Sequence, residues 1–273
     1  MAKFFVPGAL AACVLLAGCQ AVNTTSSGAV GVERKQYMFS MLSTDEVNKM
    51  YAQSYQQTLG EASTQGVLDK TSADAKRIQT IADRLIAQAP KLRPDSAQWQ
   101  WEVNLIKSDE LNANCGPGGK IIFYTGLIDK LKLTDDEIAA VMGHEIAHAL
   151  REHGREAMSK AYGVQVARQG AGALLGLGQD SLALADTVVN YSLTLPNSRS
   201  NENEADLFGL ELAARAGYDP NAAITLWNKM TAAAGGASQP EFMSTHPASA
   251  SRISSLQAAI PKVMPLYEQA KKS

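Results

Sequence analysis

Apolar residues recur at helical spacing through most of this chain and alternate with polar ones in one short stretch. Over 44–60 and 72–88 a period of about 3.6 residues predicts amphipathic helices, the second presenting Ile78, Ile81, Ala82, Leu85 and Ile86 on one face. Trp99, Trp101, Val103 and Leu105 alternate with polar neighbours, which predicts a half-buried strand. Lys120 to Thr125, bracketed by Gly118-Gly119 and Gly126, predicts a second strand. Thr134 followed by Glu137 is a capping-box signature, and Ile138, Val141, Met142, Ile146 and Ala149 continue behind it at helical spacing. Another helical pattern, Ala205, Leu207, Phe208, Leu210, Leu212 and Ala213, ends at Gly217. Beyond the second strand the chain reads as nearly all helix, broken by a Gly-rich stretch at 170–178 and a loop through Pro196-Asn197-Ser198, either a mobile lid or plain connections. There is no internal repeat. The expected fold is α+β, mainly helical, with a small β-sheet beside the helix that follows Thr134.

Composition narrows the class. Hydrophobic residues make up 45% of the 273 positions and charged ones 19%, a globular balance. A net charge of −2, a pI near 6.1 and scattered Lys and Arg leave no basic stripe to neutralise phosphates, which excludes nucleic acid as a partner. At the N-terminus, Lys3 precedes an apolar run from Phe4 to Ala17 that is too short, and too broken by Pro7-Gly8, to span a bilayer; residues 1–18 read as a signal peptide. It closes on Leu16-Ala17-Gly18-Cys19, which resembles a bacterial lipobox cut before an acylated cysteine. Acylation of Cys19 would anchor the mature chain stably to a membrane. Gln20 after it is the pattern expected of a lipoprotein on the periplasmic face of the outer membrane of a Gram-negative bacterium. Residues 20–35, rich in Ser, Thr, Val and Gly, read as a tether, so 19–40 form a lipidated N-terminus and tether, 41–265 one domain and 266–273 a polar tail. Elsewhere Gly170 to Val189 comes closest to transmembrane length, but Asp180 and Asp186 interrupt it. With Cys13 removed and Cys19 lipidated, Cys115 stands alone, either a small buried hydrophobe or a reactive thiol.

The chemistry centres on His144-Glu145-Ile146-Ala147-His148, an HExxH pattern on a predicted helix. At about 3.6 residues per turn the two histidines share a face, where both imidazoles can chelate one Zn2+ and Glu145 can accept the proton of a water activated there. Gly143 is unfavourable within a helix and predicts close packing at that point. A zinc hydrolase keeps three protein ligands, so a third must come from elsewhere. Glu202 and Asp206 lie four apart on one face of a later helix, while Glu204 points away from them. Either carboxylate could ligate the metal, with the other bonding a ligand imidazole from behind. An acidic helix start also has a bland explanation in the helix dipole, which the HExxH pattern outweighs.

These features, followed by His246-Pro247 and Arg252 and preceded by Asn112-Ala113-Asn114-Cys115-Gly116-Pro117-Gly118-Gly119-Lys120-Ile121-Ile122-Phe123-Tyr124-Thr125-Gly126-Leu127, make four motifs in order over 112–252. Together they resemble the zinc metallopeptidase family of HtpX and the CAAX prenyl protease, and within it the periplasmic lipoprotein branch of BepA-, YcaL- and LoiP-like proteins. The resemblance covers the peptidase domain only, without the tetratricopeptide segment of BepA or the transmembrane helices of HtpX. It implies a zincin-like domain with His144, His148 and Glu202 as zinc ligands, Glu145 as general base and Asp206 orienting a ligand histidine. His246 and Arg252 would approach the metal from a later helix. There His246 would either stabilise the oxyanion or occupy the open zinc position at rest. His-Pro at a loop-to-helix boundary suits Pro247 at the first helical position. His153 matches no motif position and reads as a surface or helix-end histidine.

The segment Gly119, Lys120, Ile121, Ile122 and Phe123 is expected to be an exposed edge strand able to take an extended polypeptide as an added strand. The expected activity is thus a zinc endopeptidase for misfolded or stalled envelope proteins, with the outer-membrane protein assembly machinery a candidate partner. The competing reading is a non-proteolytic, chaperone-like assembly factor with a retained zinc site. Glu145 argues against it, since a structural site needs ligands but no base.

Overall fold

The computed structural model describes residues 19–40, 42–169, 197–234, 241–247 and 249–272. The predicted signal peptide, the Gly-rich stretch at 170–178 and the span to Val189 lie outside the described residues, and with them most of the suggested lid. The architecture is mainly helical α+β, as expected. Strand β1 (Cys19–Val22) pairs antiparallel with β2 (Gln36–Phe39). Helix α1 (Thr44–Thr64) starts at a Ser43–Glu46 capping box and runs past the predicted 60. Helix α2 (Ala73–Ile86), capped by Ser72, buries Ile78, Ile81, Ala82 and Leu85, the face read from the sequence.

A four-stranded sheet follows, in the order β3 (Leu68–Asp69), β4 (Glu102–Ile106), β6 (Lys120–Tyr124), β5 (Ala113–Gly116). β4 and β6 are parallel; β5 turns back antiparallel onto β6 through Gly118 and Gly119, both at positive φ. The period of two sorts β6 between cores. Ile121 and Phe123 join the main core, while Ile122 packs with Val47, Tyr51, Tyr55 and Leu59 of α1. The alternating stretch at 99–105 supplies β4 only from Glu102. Trp99 and Trp101 lie before it with ring centroids 5.3 Å apart, Trp101 Nε1 donating to the Ser96 carbonyl.

The C-terminal half is α3 (Thr125–Leu131), α4 (Asp135–Leu150), α5 (His153–Gln169), α6 (Arg199–Arg215), α7 (Ala222–Ala234), the short α8 (Glu241–Thr245) and α9 (Ala250–Ala270). The Thr134–Glu137 capping box forms as read. α9 starts three residues after Pro247 because Ser249 caps it, accepting from the Arg252 amide. α4 crosses α6 where Gly143 meets Gly209: a Cβ on Gly143 would stand 2.8 Å from the Gly209 carbonyl oxygen. The glycine that weakens the helix thus lets the two ligand-bearing helices touch.

Three expectations are corrected. The segment 119–123 is not a sheet edge: β6 is bonded by β4 on one side and β5 on the other, so the free edge on that side is β5. Residues 20–35 are not a loose tether. Val30 and Val32 enter the main core, and the Ala29 and Val30 amides donate to Glu211 Oε2 at 2.7 and 3.2 Å. The segment's apolar Val residues give it something to bury, which a Ser- and Thr-rich reading overlooks. Residues 266–270 continue α9 rather than a polar tail, with Leu266 and Tyr267 against the core. No helix of the described residues is long and apolar enough to cross a membrane.

Candidate metal centre

α4 places His144 and His148 on one face and Glu145 beside them, all buried. α6, in contact with α4, brings Glu202 and Asp206 onto the facing surface, and the turn after α8 brings in His246. One ligand atom each from His144, His148, Glu202 and His246 lie within 4.8 Å of one another. His148 Nε2 sits 3.1 Å from His144 Nε2 and 3.2 Å from Glu202 Oε1, and His144 Nε2 is 3.6 Å from Glu202 Oε2. Glu202, not Glu204, therefore faces the histidines. Asp206 accepts from His144 Nδ1 at 3.0 Å, behind the ring, as the second carboxylate should. Arg252 forks onto Asp206 at 2.6 and 2.7 Å and stacks over the Trp227 ring, its guanidinium 4.0 Å from the centroid. The cation–π contact and the ion pair fix that guanidinium in the wall of the site.

The site has the signature of an ion-binding centre. Glu145 Oε1 and both Glu202 carboxylate oxygens are buried without an aligned donor. Arg252 Nη1 reaches 2.6 Å from Glu202 Oε2, but off the hydrogen-bonding direction, so the contact is electrostatic only. Three carboxyl groups, Glu145, Glu202 and Asp206, share one guanidinium, Arg252, a shortage of positive charge that a bound cation relieves. Burial depresses the imidazoles, taking His148 to about 3 and His144 and His246 well below their usual value, so all three present lone pairs. Burial first, and then the Glu202 charge, push the Glu145 carboxyl well up, while the Cys115 backbone N–H pulls it back. Two or three imidazoles with one carboxylate suit zinc among the common divalent metals.

His246 Nε2 is also 3.5 Å from Glu145 Oε1, and the His246 ring stacks on Phe242 with centroids 4.4 Å apart. Thr245 Oγ1 and the Phe242 carbonyl hold its Nδ1 at 2.8 and 3.2 Å, which turns Nε2 into the site. Cys115 is buried in β5, where its thiol is pushed up by burial and by the Glu145 charge. That is the small-hydrophobe alternative. His153, read as a surface or helix-end residue, does open α5 but is 1% exposed. Glu152 takes a left-handed φ of 50° between α4 and α5, folding His153 back over His148 at an offset that helical periodicity does not bring together. Glu204, which points away from Glu202, is buried too, against His153, Arg151 and Arg34. No local pattern in the sequence signals either residue, since their contact joins positions 51 apart.

A buried His-His-Glu set beside a carboxylate with one unpartnered oxygen is the arrangement that a mononuclear metal-hydrolase centre of the HExxH type requires. The matching family model spans residues 72–260, and the chain belongs to peptidase family M48. It is 32% identical over 225 residues to the mitochondrial metalloendopeptidase OMA1 of Schizosaccharomyces pombe, covering 82% of this chain and 64% of that protein. With the metalloprotease LoiP of Escherichia coli it shares 30% identity over 249 residues, 89% of this chain and 91% of LoiP. With the beta-barrel assembly-enhancing protease of the same organism it shares 28% over 205 residues, 70% and 40% of the two chains. The chain spans less than two thirds of the OMA1 proteins it matches, 64% of that from S. pombe and 31% of that from Arabidopsis thaliana. The family read from the motifs stands, and LoiP and the beta-barrel assembly-enhancing protease are among the relatives.

Proposed function

We propose that this chain is a zinc-dependent endopeptidase of the bacterial cell envelope that cuts misfolded or stalled envelope proteins. The observation that carries the reading is the buried quartet of His144, His148, Glu202 and His246, with Glu145 Oε1 unpartnered at its rim. His144, His148 and Glu202 would hold the ion, and the zinc would supply a Lewis acid that polarises the scissile carbonyl and acidifies water. Glu145, next to His144 on the same helix, would take the proton of that water and return it to the leaving amine. Asp206 fixes the His144 ring through Nδ1, and Arg252 holds Asp206 in place. At rest His246, whose ligand atom lies in the same quartet, would take the open position.

The substrate is an extended polypeptide laid along β5, the free edge of the sheet, whose Cys115 amide already reaches the Glu145 carboxylate. Main-chain pairing there reads few side chains, which suits unfolded clients. The chain is anchored by lipid on Cys19 at the periplasmic face of the outer membrane. Because Cys19 opens β1, the anchor adjoins the folded domain rather than ending a free tether. The printed name of one relative, the beta-barrel assembly-enhancing protease, supports a client or partner in outer-membrane protein assembly. The test is Glu145→Gln assayed on casein and on an unfolded outer-membrane protein. Zinc should stay stoichiometric and turnover should vanish; turnover within a few fold of wild type would refute Glu145 as the base.

A further inference from the structure

Behind His148, on the side away from Glu202, lies a buried polar chain that the proposed chemistry does not use. His148 Nδ1 stands 2.9 Å from His153 Nδ1, and His153 Nε2 stands 3.2 Å from Glu204 Oε2. Glu204 is held in turn by Arg151 Nε at 2.9 Å and by Arg34. Arg151 also donates to Thr25 Oγ1 and to the Arg34 carbonyl, at 3.1 and 2.9 Å, which locks the chain of contacts to the docked N-terminal segment.

We propose that His153 and Glu204 are positioning residues for His148, fixing its ring and the tautomer whose Nε2 is free for the metal. The inference rests on the reading of His148 as a ligand. Two ring nitrogens 2.9 Å apart need one proton between them. If His148 ligates through Nε2, its proton is on Nδ1 and is donated to His153 Nδ1. His153 then carries its own proton on Nε2, aimed at Glu204, which as a carboxylate only accepts. Every donor meets an acceptor. The opposite assignment puts a proton on His148 Nε2, blocks the ligand position, and turns a bare His153 nitrogen toward the Glu204 carboxylate. Both ligand rings are thus backed by a carboxylate: His144 directly by Asp206, and His148 by Glu204 through an intervening imidazole.

The test is zinc affinity of the full chain by chelator competition, in wild type, His153→Leu and His153→Asn, with thermal melting of the metal-free forms. An Asn carbonyl falls near the position of Nδ1 and still accepts from His148, whereas Leu fills the space and accepts nothing. The Leu variant should bind zinc about 10- to 100-fold more weakly, with Asn closer to wild type. A residue that merely packs would show the reverse order, since Leu suits a buried site better than Asn. Zinc affinity of His153→Leu within about two-fold of wild type, or Asn weaker than Leu, overturns the relay while leaving the metal centre standing. A wild type that binds no zinc overturns both. Should His153→Leu fail to fold, nitrogen-15 NMR of the zinc-loaded wild type decides instead. His153 is expected as the Nε2–H tautomer; the Nδ1–H tautomer or an imidazolium overturns the proposal.

Discussion

The crossing of α4 and α6 sets the ligand geometry, and Gly209→Ala perturbs it most directly. A Cβ at 209 would lie 2.6 Å from the His144 nitrogen and 2.8 Å from both the Gly143 carbonyl carbon and the His144 Cα. All three are backbone atoms, so no rotamer relieves the clash. Carbon contacts settle at about 3.5–4.0 Å, which means the helices must part by roughly 1 Å. Overpacking of this kind costs about 1–3 kcal/mol, offset by up to about 1 kcal/mol of helix propensity gained from alanine. The net loss, up to about 3 kcal/mol, should lower Tm by as much as roughly 6–12 °C in a chain of this size. The metal centre should suffer more. His144 and His148 ride on α4 and Glu202 on α6, while ligand distances tolerate only about 0.2 Å. Glu202 lies about two turns from Gly209, so even half of the shift arriving there exceeds that tolerance. Zinc affinity by chelator competition should fall, and turnover with it by about 100-fold. Gly60→Ala on α1 is the control: nothing lies within 4 Å of its Cβ, and it should stabilise by up to about 1 kcal/mol. A Gly209→Ala protein with wild-type Tm and zinc affinity would refute the argument that this contact sets the site.

His246→Ala should raise peptidase turnover and weaken zinc binding, since it removes the fourth donor; a fall of about 100- to 1,000-fold with zinc retained would make His246 an oxyanion donor instead. Acid should loosen the N-terminal segment. Burial alone would raise the Glu156 carboxyl, but hydrogen bonds from Arg34 and Lys160 outweigh it and bring it to about 2. Its contribution is therefore complete above its ordinary pKa of 4.5 and is lost as pH falls from there toward 2. Arg34→Met should flatten that limb of the melting-temperature profile, and an unchanged profile would count against the ion pair. Cys19→Ala should yield a chain without lipid that leaves the membrane fraction; retention after a high-salt wash would contradict the anchor.

What local sequence determined here is whatever operates within a turn or two of helix. The Thr134–Glu137 box starts α4, the spacing of His144 and His148 puts both rings on one face, and Glu202 and Asp206 share theirs because four residues make about one turn. Gly143 announced a close approach, though not its partner Gly209. Chain-distant contacts decided the rest. Lys120–Phe123 has the pattern of a strand wherever it sits in a sheet, and only pairing with both β4 and β5 makes it internal. Residues 20–35 look like a linker because their anchors, Glu204 and Glu211, lie more than 160 residues away in sequence. His153 was illegible for a sharper reason. Helical periodicity separates it from His148, and one left-handed residue, Glu152, cancels that separation by breaking the helix between them. A backbone conformation so uncommon for glutamate is stabilised only by what surrounds it, here ion pairs from Arg93 and Arg155, which no local pattern records.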